Sequence, residues 1–467
     1  MGVDQHQSAT HVGRGRDLIK IFQADSGNFV NTEKDDVIVN TNGSDEPVSG
    51  GHHDTHWHTN LAVMCVAQFL AGVGFSIFFP FLPFYFRELG LETDRQVLLW
   101  MGYISLAFGV TMGISAPLWG LVADRYGRKL MVIRSMLAGA VVLGLMGLAT
   151  SPWHIFILRI LQGMTTGTIT ASVTMVSSVT PVENLGLSLG ILQTALLMGN
   201  VVGPLAGGIL ADLFGYRLSC GIAFVMLFAG AVLVIFGADE RFVRPLGKRE
   251  NGFRTIQGIL RTEGFIVILA VFFLVYVLNT LIIPILPLYI EKLSGHSAKA
   301  ATLTGVIIGM TGLFSGISAA YFGRLGDRFG HVRVLFLSLV AAGVISLPQA
   351  LADRVWVLFV ERCLLGLAVG GVMPSVNALV SNIISRERVG SAYGLTSSVT
   401  CLGIGAGPFL GGSMAAVIGL RWPFAALGLL AFIVAFGVKR FAETLSRAAR
   451  NGSAARVTFP SLGQEID

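Results

Sequence analysis

The sequence predicts an all-α polytopic membrane protein in which twelve transmembrane helices form two six-helix halves. Three observations support this fold class: the composition, the length of the uncharged segments and an internal repeat. The 467 residues are 53% hydrophobic and 13% charged, with a mean hydropathy of +0.71, whereas a soluble domain carries about twice that charged fraction. The composition therefore excludes an ordinary soluble protein.

The uncharged segments have the length of membrane-spanning helices. A helix crosses the hydrocarbon core with about 20 apolar residues, and five longer segments contain no Asp, Glu, Lys or Arg: 61–86, 97–123, 264–290, 300–323 and 389–420. Together with less uniform segments, they give the predicted spans 61–86, 97–121, 132–150, 153–178, 186–210, 218–238, 264–290, 300–322, 334–352, 355–384, 390–417 and 421–438. All four cysteines fall inside these spans, far apart in sequence, so we expect neither disulfides nor a metal site.

The basic residues indicate the orientation of the chain. Lys and Arg are concentrated, by about three to one, in the loops after the even-numbered spans and in the C-terminal tail, and cytoplasmic loops carry such an excess. Both termini are therefore predicted to be cytoplasmic. The net charge of +6 follows from this topology rather than from nucleic-acid binding, and we expect the basic loops to contact anionic lipid headgroups.

The second half of the chain repeats the first with an offset of 203 or 204 residues. Five stretches match in order: the Pro-x-x-Pro-x-Tyr motif of 80–85 with 284–289, Asp124 with Asp327, Arg159 with Arg362, the glycine motif of 199–208 with 403–412, and Arg217 with Arg421. Two repeated halves are typical of transporters, whose binding site lies between them. We find no GxSxG or HExxH motif and no paired carboxylates within the spans, so no catalytic residues are predicted and the protein is not expected to be an enzyme.

The repeat divides the chain into five predicted regions. They are a disordered cytoplasmic tail (1–60), an N-terminal six-helix bundle (61–238), a cytoplasmic linker (239–263), a C-terminal six-helix bundle (264–440) and a cytoplasmic tail (441–467). The first tail ends in a histidine-rich stretch, HHDTHWH. A flexible tail with incidental histidines is the simpler interpretation, and a metal-sensing role is an alternative.

Four motifs resemble the major facilitator superfamily. GLVADRYGRK (120–129) is similar to its loop signature, LRILQG (158–163) to its span-4 motif, GNVVGPLAGG (199–208) to its span-5 antiporter motif, and GVGFSIFFPFLPFY (72–85) to the span-1 signature of the twelve-span drug/proton antiporters. The pattern resembles the MdtG-like multidrug efflux branch over residues 61–440. The resemblance implies the major facilitator fold and a monomer without cofactors in the plasma (inner) membrane. It also implies proton-coupled efflux, or antiport, of lipophilic small molecules or drugs. A specific metabolite or sugar exporter, or an uncoupled lipid or solute flippase, remains an alternative.

The resemblance implies that the loop signature forms a cytoplasmic latch, a set of breakable contacts that hold the cytoplasmic side of the protein closed. Its members are Gly120, Asp124, Arg125, Gly127, Arg128 and Lys129, with Asp327 in the second copy. The two glycines permit a tight turn, and the resemblance places Asp124 against the start of span 11 near Ser391, where a helix N-terminus favours an anion. The arginines could pair with Glu183. The simpler alternative is that these basic residues form an ordinary tight turn and only carry the positive charge that is typical of cytoplasmic loops.

Charged residues inside spans are the candidates for proton coupling. A charge there costs at least about 2.5–3.5 kcal/mol on insertion scales. The resemblance implies that Arg159 takes part in proton coupling, and the alternative is an arginine that extends to the membrane interface. Arg362 is the repeat counterpart and follows Glu361, which is the only carboxylate so deep in a span and therefore a candidate proton carrier.

The span-5 motif and the cavity complete the candidate site. The resemblance implies that the motif residues Gly199, Gly203, Pro204, Gly207 and Gly208 seal the outer face against proton leak; ordinary packing of small residues is compatible with that role. An aromatic cavity with sparse polar points suits varied lipophilic ligands. Its candidate residues are Gln68, Phe75, Phe79, Gln162, Phe273, Tyr276, Asn279 and Asn377. Core packing or lipid contact is the alternative for the phenylalanines.

Overall fold

A computed structural model describes residues 56–240, 257–260, 264–383 and 389–450. The helices in chain order are α1 (His56–Ser76), α2 (Leu82–Glu88), α3 (Asp94–Tyr126), α4 (Arg128–Gly147), α5 (Pro152–Thr165), α6 (Thr168–Val179), α7 (Leu185–Phe214), α8 (Tyr216–Gly237), α9 (Phe265–Thr280), α10 (Leu286–Leu293), α11 (Ala300–Phe329), α12 (His331–Gln349), α13 (Val355–Val369), α14 (Val372–Ile383), α15 (Val389–Ile418) and α16 (Trp422–Arg450). A 3₁₀ turn, Val182–Asn184, precedes α7. Most of the predicted N-terminal tail, the linker and the end of the C-terminal tail lie outside the described residues.

Ten segments of the described chain are long and apolar enough to cross a membrane. The two remaining predicted spans, 153–178 and 264–290, consist of shorter helices: α5 with α6, and α9 with α10. Two of the twelve predicted spans are therefore built from two shorter helices each. Spans 1 and 10 are interrupted as well, between α1 and α2 and between α13 and α14.

The interruptions follow the repeat. The break in span 1 contains Pro80 and the break in span 7 contains Pro284; the second proline of each pair, Pro83 or Pro287, lies in the first turn of the following helix. Proline lacks the N–H that a helix interior needs, so the helix ends before it and a new one begins. The break in span 4 occurs at Gly167, whose φ of +150° disfavours other residues. Its counterpart in span 10 occurs at two glycines, 370 and 371.

Tight turns also recur in both halves. Gly127 (φ +95°) ends α3 and begins α4, and Gly330 (φ +89°) does the same between α11 and α12. Because α3 has 33 residues, it is about 50 Å long. The helix α2 at its start and the α3–α4 turn at its end therefore lie at opposite ends of the bundle. We refer to them as the α2/α10 end and the turn end.

Two buried tyrosines fix the breaks in the first span of each half. The Tyr85 hydroxyl donates a hydrogen bond to the carbonyl of Met146 at 2.9 Å, and the Tyr289 hydroxyl donates to the carbonyl of Ala352 at 2.9 Å. Both side chains are fully buried. The short helices α2 and α10 are thereby tied to the ends of α4 and α12, so the sequence repeat is also a repeat of hydrogen bonds.

Candidate functional site

The two halves meet along a seam in which α3 packs against α15 and α7 packs against α11. Glycines allow the backbones to approach. A Cβ on Gly109 would lie 2.6 Å from the Cα of Gly405, and a Cβ on Gly305 would lie 2.2 Å from the carbonyl oxygen of Pro204. Side chains at these glycines would separate the halves, so the sequence makes the seam close-packed.

The seam is closed at the α2/α10 end by an ion pair between the halves. Arg87 Nη1 lies 2.7 Å and 2.8 Å from the two carboxylate oxygens of Glu291, and Arg87 Nη2 lies 2.5 Å from Asp94. The Glu291 side chain is 14% exposed. Burial alone would lower the pKa of Arg87, but the hydrogen bonds to Glu291 and Asp94 outweigh burial and raise it. Arg87 and Glu291 are 204 residues apart, so the pair joins repeat-equivalent positions.

A second contact supports closure at the same end. The carboxylate of Asp212, at the end of α7, accepts a hydrogen bond from the backbone N–H of Thr302 at 2.7 Å. Thr302 lies in the first turn of α11, where free N–H groups and the helix dipole favour an anion. The N-terminal half therefore caps a helix of the C-terminal half.

The seam is open at the turn end. A side chain added at Gly120 of α3, Gly186 of α7, Gly323 of α11 or Gly394 of α15 would meet no atom of the described residues within 4 Å. The glycine contacts between α3 and α15 instead run from Gly412 near the α2/α10 end only as far as Gly113. The cleft between the halves is therefore accessible from the turn end.

The loop signature fixes the turn end of one half. Glu240, just beyond α8, accepts hydrogen bonds from the backbone N–H groups of Arg128 and Lys129 at 2.7–2.9 Å. The Lys129 ammonium in turn donates to two carbonyls at the end of α8, at 2.9 Å and 2.7 Å. Gly127 forms the predicted turn, but Gly120 lies inside α3, so its predicted part in the turn is wrong.

The rest of the predicted latch is not engaged in this conformation. Within the described part of the chain, no ion pair joins Glu183 to Arg125 or Arg128. The side chains of Asp124 and Ser391 lie outside the described residues, so the predicted contact between Asp124 and span 11 remains a prediction. In the second copy, Asp327 lies 3.3 Å from the imidazole of His331 within its own half.

Arg159 points into the protein rather than to the membrane interface. It is 7% exposed, and its Nη1 donates a hydrogen bond to Gln162 Oε1 at 3.0 Å. The guanidinium carbon lies 5.1 Å, 5.9 Å and 5.6 Å from the ring centres of Phe78, Phe79 and Phe108. Aromatic rings at these distances attract a cation, so this arginine is held in an aromatic cage.

Arg362 has a different environment. It is 8% exposed, with the ring centre of Phe424 5.6 Å away. Its Nε and Nη2 find no hydrogen-bond acceptor in the described chain, and Oε2 of the adjacent Glu361 finds no donor there. No ion pair joins Glu361 to Arg362 in that part of the structure. The two residues are neighbours in sequence but do not neutralise each other by direct contact.

The span-5 glycines pack α7 against both halves. A Cβ on Gly199, Gly203 or Gly207 would lie within 2.4 Å of an atom of α1 or the residue that follows it, and a Cβ on Gly208 would lie 2.2 Å from the carbonyl of Ala301. Pro204 lies inside the helix between these contacts. The repeat copy on α15 packs in the same way against α9 and α3.

The predicted cavity residues do not all converge. Gln162 and Phe79 lie at Arg159. The Gln68 amide donates to Ser172 and to the carbonyl of Thr168 inside the N-terminal half, and Phe75 packs against Gly139 in that half.

The remaining cavity candidates belong to the C-terminal half. Phe273 and Tyr276 pack at Gly403 of α15. Asn279 lines a cavity that also contains Arg362, whereas Asn377 is exposed on α14. The eight candidates are thus divided among at least three separate places.

Three features are missing from the sequence prediction. Arg134 lies 3.3 Å over the ring of Trp119, Glu240 caps α4, and Arg87 pairs with Glu291. Of these, only Glu240 carries a usable sequence signal, because an acid after an apolar span is a ready cap for a nearby helix N-terminus.

Comparison with known proteins decides the family. The family model described as "Major Facilitator Superfamily" matches residues 64–319 and 299–462. The chain belongs to the major facilitator superfamily. It is an integral, multi-pass membrane protein, and the predicted family and fold class are confirmed.

Relatives and solved structures of the superfamily cover most of the chain. "Multidrug resistance protein MdtG" of Proteus mirabilis is 35% identical over 79% of this chain and 92% of its own length, and the MdtG protein of Citrobacter koseri is 34% identical over 79% and 91%. A bacterial homolog of the human lysosomal transporter Spinster covers 83% of this chain and 97% of its own, with 16% identity and a TM-score of 0.69. The human organic anion transporter MFSD10 covers 82% and 99%, with 17% identity and a TM-score of 0.62.

Proposed function

We propose that this protein exports lipophilic small molecules in exchange for protons, by alternating access between its two halves. The observation that carries the proposal is 35% identity with a multidrug resistance protein over 92% of that protein's length. The seam supports it, because a close-packed interface that is closed at one end and open at the other is what alternating access requires.

The distribution of basic residues supports an orientation with the turn end in the cytoplasm. The described conformation is then open inward, and Arg87 with Glu291 closes the outer face. Both termini and the linker are cytoplasmic in this arrangement, and the protein acts as a monomer among lipids. When the turn end closes, Asp124 and its neighbouring arginines come within reach of the other half and form the latch.

In this proposal, proton coupling depends on the charged residues inside spans 4 and 10, which are Arg159, Glu361 and Arg362. Arg159 is caged by aromatic rings, and Glu361 is a carboxylate with an oxygen that makes no hydrogen bond in the described chain. Protonation of Glu361 would remove a charge from the membrane interior, where charge is expensive. In this proposal, Glu361 carries the proton and Arg159 and Arg362 respond to it.

The span-5 glycines and the aromatic residues have supporting roles. The close approach of α7 to α1 and α11 at Gly199, Gly203, Gly207 and Gly208 supports the outer seal. Phe79, Phe273 and Tyr276 provide apolar surface near the seam for a lipophilic substrate.

The test is a flux assay with the full-length protein in liposomes that contain a trapped pH-sensitive dye. An inward-directed proton gradient is imposed, and lipophilic cations, anions and neutral drugs are added one at a time. We expect substrate-dependent proton movement that is lost in Arg159→Ala and kept in Arg95→Ala, a matched exposed arginine of α3.

Two results would contradict the proposal. Substrate movement without proton movement would make the protein an uncoupled transporter or flippase. Activity limited to one polar metabolite would favour the specific exporter. Equal loss in both arginine variants would show that the assay reports folding, so each variant is checked for its elution volume in size-exclusion chromatography.

A further inference from the structure

The two repeat-related arginines have diverged in their surroundings. Arg159 has Gln162 and three aromatic rings around its guanidinium. Arg362 has one ring, and two of its three nitrogens lack an acceptor in the described chain although the residue is 92% buried. A buried charged group without hydrogen-bond acceptors is unfavourable, so the guanidinium of Arg362 could gain acceptors from a bound anion.

Arg362 lines a cavity inside the C-terminal half. The cavity has a volume of about 100 Å³ and lies among α9, α11, α12, α13 and α16. Arg362 is the only charged residue among the described residues that line it, and the polar ones are Asn279, Thr311 and Ser346. Apolar side chains, including Leu339 and Leu365, form the remaining wall.

The other polar residues use all of their donors but one, which is the second N–H of the Asn279 amide. The Asn279 amide donates to the carbonyl of Val275 at 2.9 Å, and the hydroxyls of Thr311 and Ser346 donate to carbonyls of their own helices at 2.7 Å and 2.6 Å. The uncommitted donors in this cavity are therefore N–H groups of the guanidinium and the second N–H of the Asn279 amide. A cation would meet a like charge, whereas an anion would gain charge-assisted hydrogen bonds in a medium of low dielectric constant.

The matching place in the N-terminal half is filled. The positions equivalent to Asn279, Thr311 and Ser346 are occupied by Phe75, Phe108 and Leu143. The Phe75 ring lies within 2.7 Å of where a Cβ on Gly139 would be, and Phe108 stacks at Arg159. In the N-terminal half, aromatic and aliphatic side chains thus fill the space around Arg159. The equivalent space around Arg362 in the C-terminal half is open and partly polar.

We propose that the cavity at Arg362 binds a small monovalent anionic group, a carboxylate or a halide-sized inorganic anion. A cavity of about 100 Å³ is larger than the ~10–15 Å³ that a single water molecule requires, so a carboxylate group or a halide-sized anion fits in it. The anion is either the acid group of the exported molecule, whose apolar part stays in the cleft, or a separate inorganic ion. The first source rests on the proposed export function; the site itself does not.

The test measures binding to the purified full-length protein in detergent, without a membrane gradient. Isothermal titration in sulfate buffer uses sodium benzoate, sodium acetate, sodium chloride and the neutral isostere benzamide as probes. We expect saturable binding of benzoate and none of benzamide. Arg362→Gln should raise the Kd for benzoate by about tenfold or more, because it removes the charge-assisted hydrogen bonds. Arg159→Gln should change it by less than about twofold, because that arginine does not line the cavity and already donates to Gln162 among three aromatic rings.

A second variant tests the cavity without removing the charge. Ala342 lines the cavity, so Ala342→Leu fills it and should abolish benzoate binding even if Arg362→Gln proves unstable. An affinity that rises from acetate to benzoate identifies the acid group of an amphipathic substrate as the source, and equal affinities with competition by chloride identify an inorganic anion. Either result supports the site.

The proposal is overturned if benzamide binds as well as benzoate, if no probe binds, or if both Arg362→Gln and Ala342→Leu leave the Kd unchanged. Failure of the export assay with intact benzoate binding would refute the proposed function alone. Export that persists without benzoate binding would refute the anion site alone.

Discussion

Breaking the ion pair between Arg87 and Glu291 should open the α2/α10 end. The substitution Glu291→Gln keeps the size of the side chain and removes its charge. The two contacts of 2.7 Å and 2.8 Å are charge-assisted, and the side chains are only 29% and 14% exposed. A pair of this kind contributes more than the ~0–1 kcal/mol of an exposed surface pair and falls in the range of about 1.5–3 kcal/mol for hydrogen bonds to charged groups. A loss of about 2 kcal/mol changes the ratio of closed to open molecules by about 30-fold.

The assay is a distance measurement between spin labels across that end. Labels at Glu92→Cys and Ala298→Cys, two exposed positions, are introduced after the four native cysteines are replaced by serine. We expect a single short distance in the parent protein and a longer population in Glu291→Gln. The matched control is Glu88→Gln, which breaks the 3.1 Å pair between Glu88 and Arg217 inside one half.

Two outcomes would refute this reasoning. An unchanged distance distribution in Glu291→Gln would show that the glycine seam alone holds the end closed. An equal change in Glu88→Gln would show that the effect is general loss of charge. Exchange of the charges in Arg87→Glu with Glu291→Arg should restore part of the short population, although Asp94 then faces a like charge.

Three further predictions concern packing, capping and the tyrosine hydrogen bonds. Gly109→Leu should reduce transport at least tenfold, because its Cβ alone would lie 2.6 Å from Gly405, whereas Gly437→Leu, at an exposed position of α16, should keep most of the activity; equal loss would contradict the seam. Glu240→Gln should lower the free energy of unfolding by about 1–2 kcal/mol, measured by chemical denaturation, because α4 loses a charged cap, and an unchanged midpoint would contradict this. Tyr85→Phe should destabilise by about 1 kcal/mol, because two carbonyls near its buried hydroxyl lose their donor, and no change would indicate that water replaces the hydroxyl.

The fold could be predicted from the sequence because its signals are local or periodic. Apolar runs identify spans, and the offset of 203 or 204 residues identifies the halves. The break at Gly167 is not predicted, since a hydropathy pattern continues across a change of backbone direction. A single residue such as a glycine or a proline can end a helix, and a count of apolar positions does not detect such a residue.

The site could be predicted only in part, because its contacts join distant segments. Arg159 was recognised since a charge inside a span is conspicuous, but its aromatic cage includes Phe108 from another helix. Arg87 and Glu291 look like ordinary loop charges when each is read alone. Gln68 was assigned to the cavity, yet its partners Thr168 and Ser172 keep it inside one half. Which side chains face the cleft depends on helix rotation, which the sequence pattern leaves open.

The charges at the α2/α10 end also determine how the halves can associate. Arg87 and Glu291 occupy equivalent positions of a twofold repeat and touch each other, so each sits where it would meet its own copy in a dimer of identical halves. Two N-terminal halves would bring two arginines together, and two C-terminal halves would bring two glutamates together. Like charges at that distance repel. Because the N-terminal half carries the arginine and the C-terminal half the glutamate, each half favours the other half over a second copy of itself. We therefore expect a chain divided at the linker to reassemble as a heterodimer of the two halves.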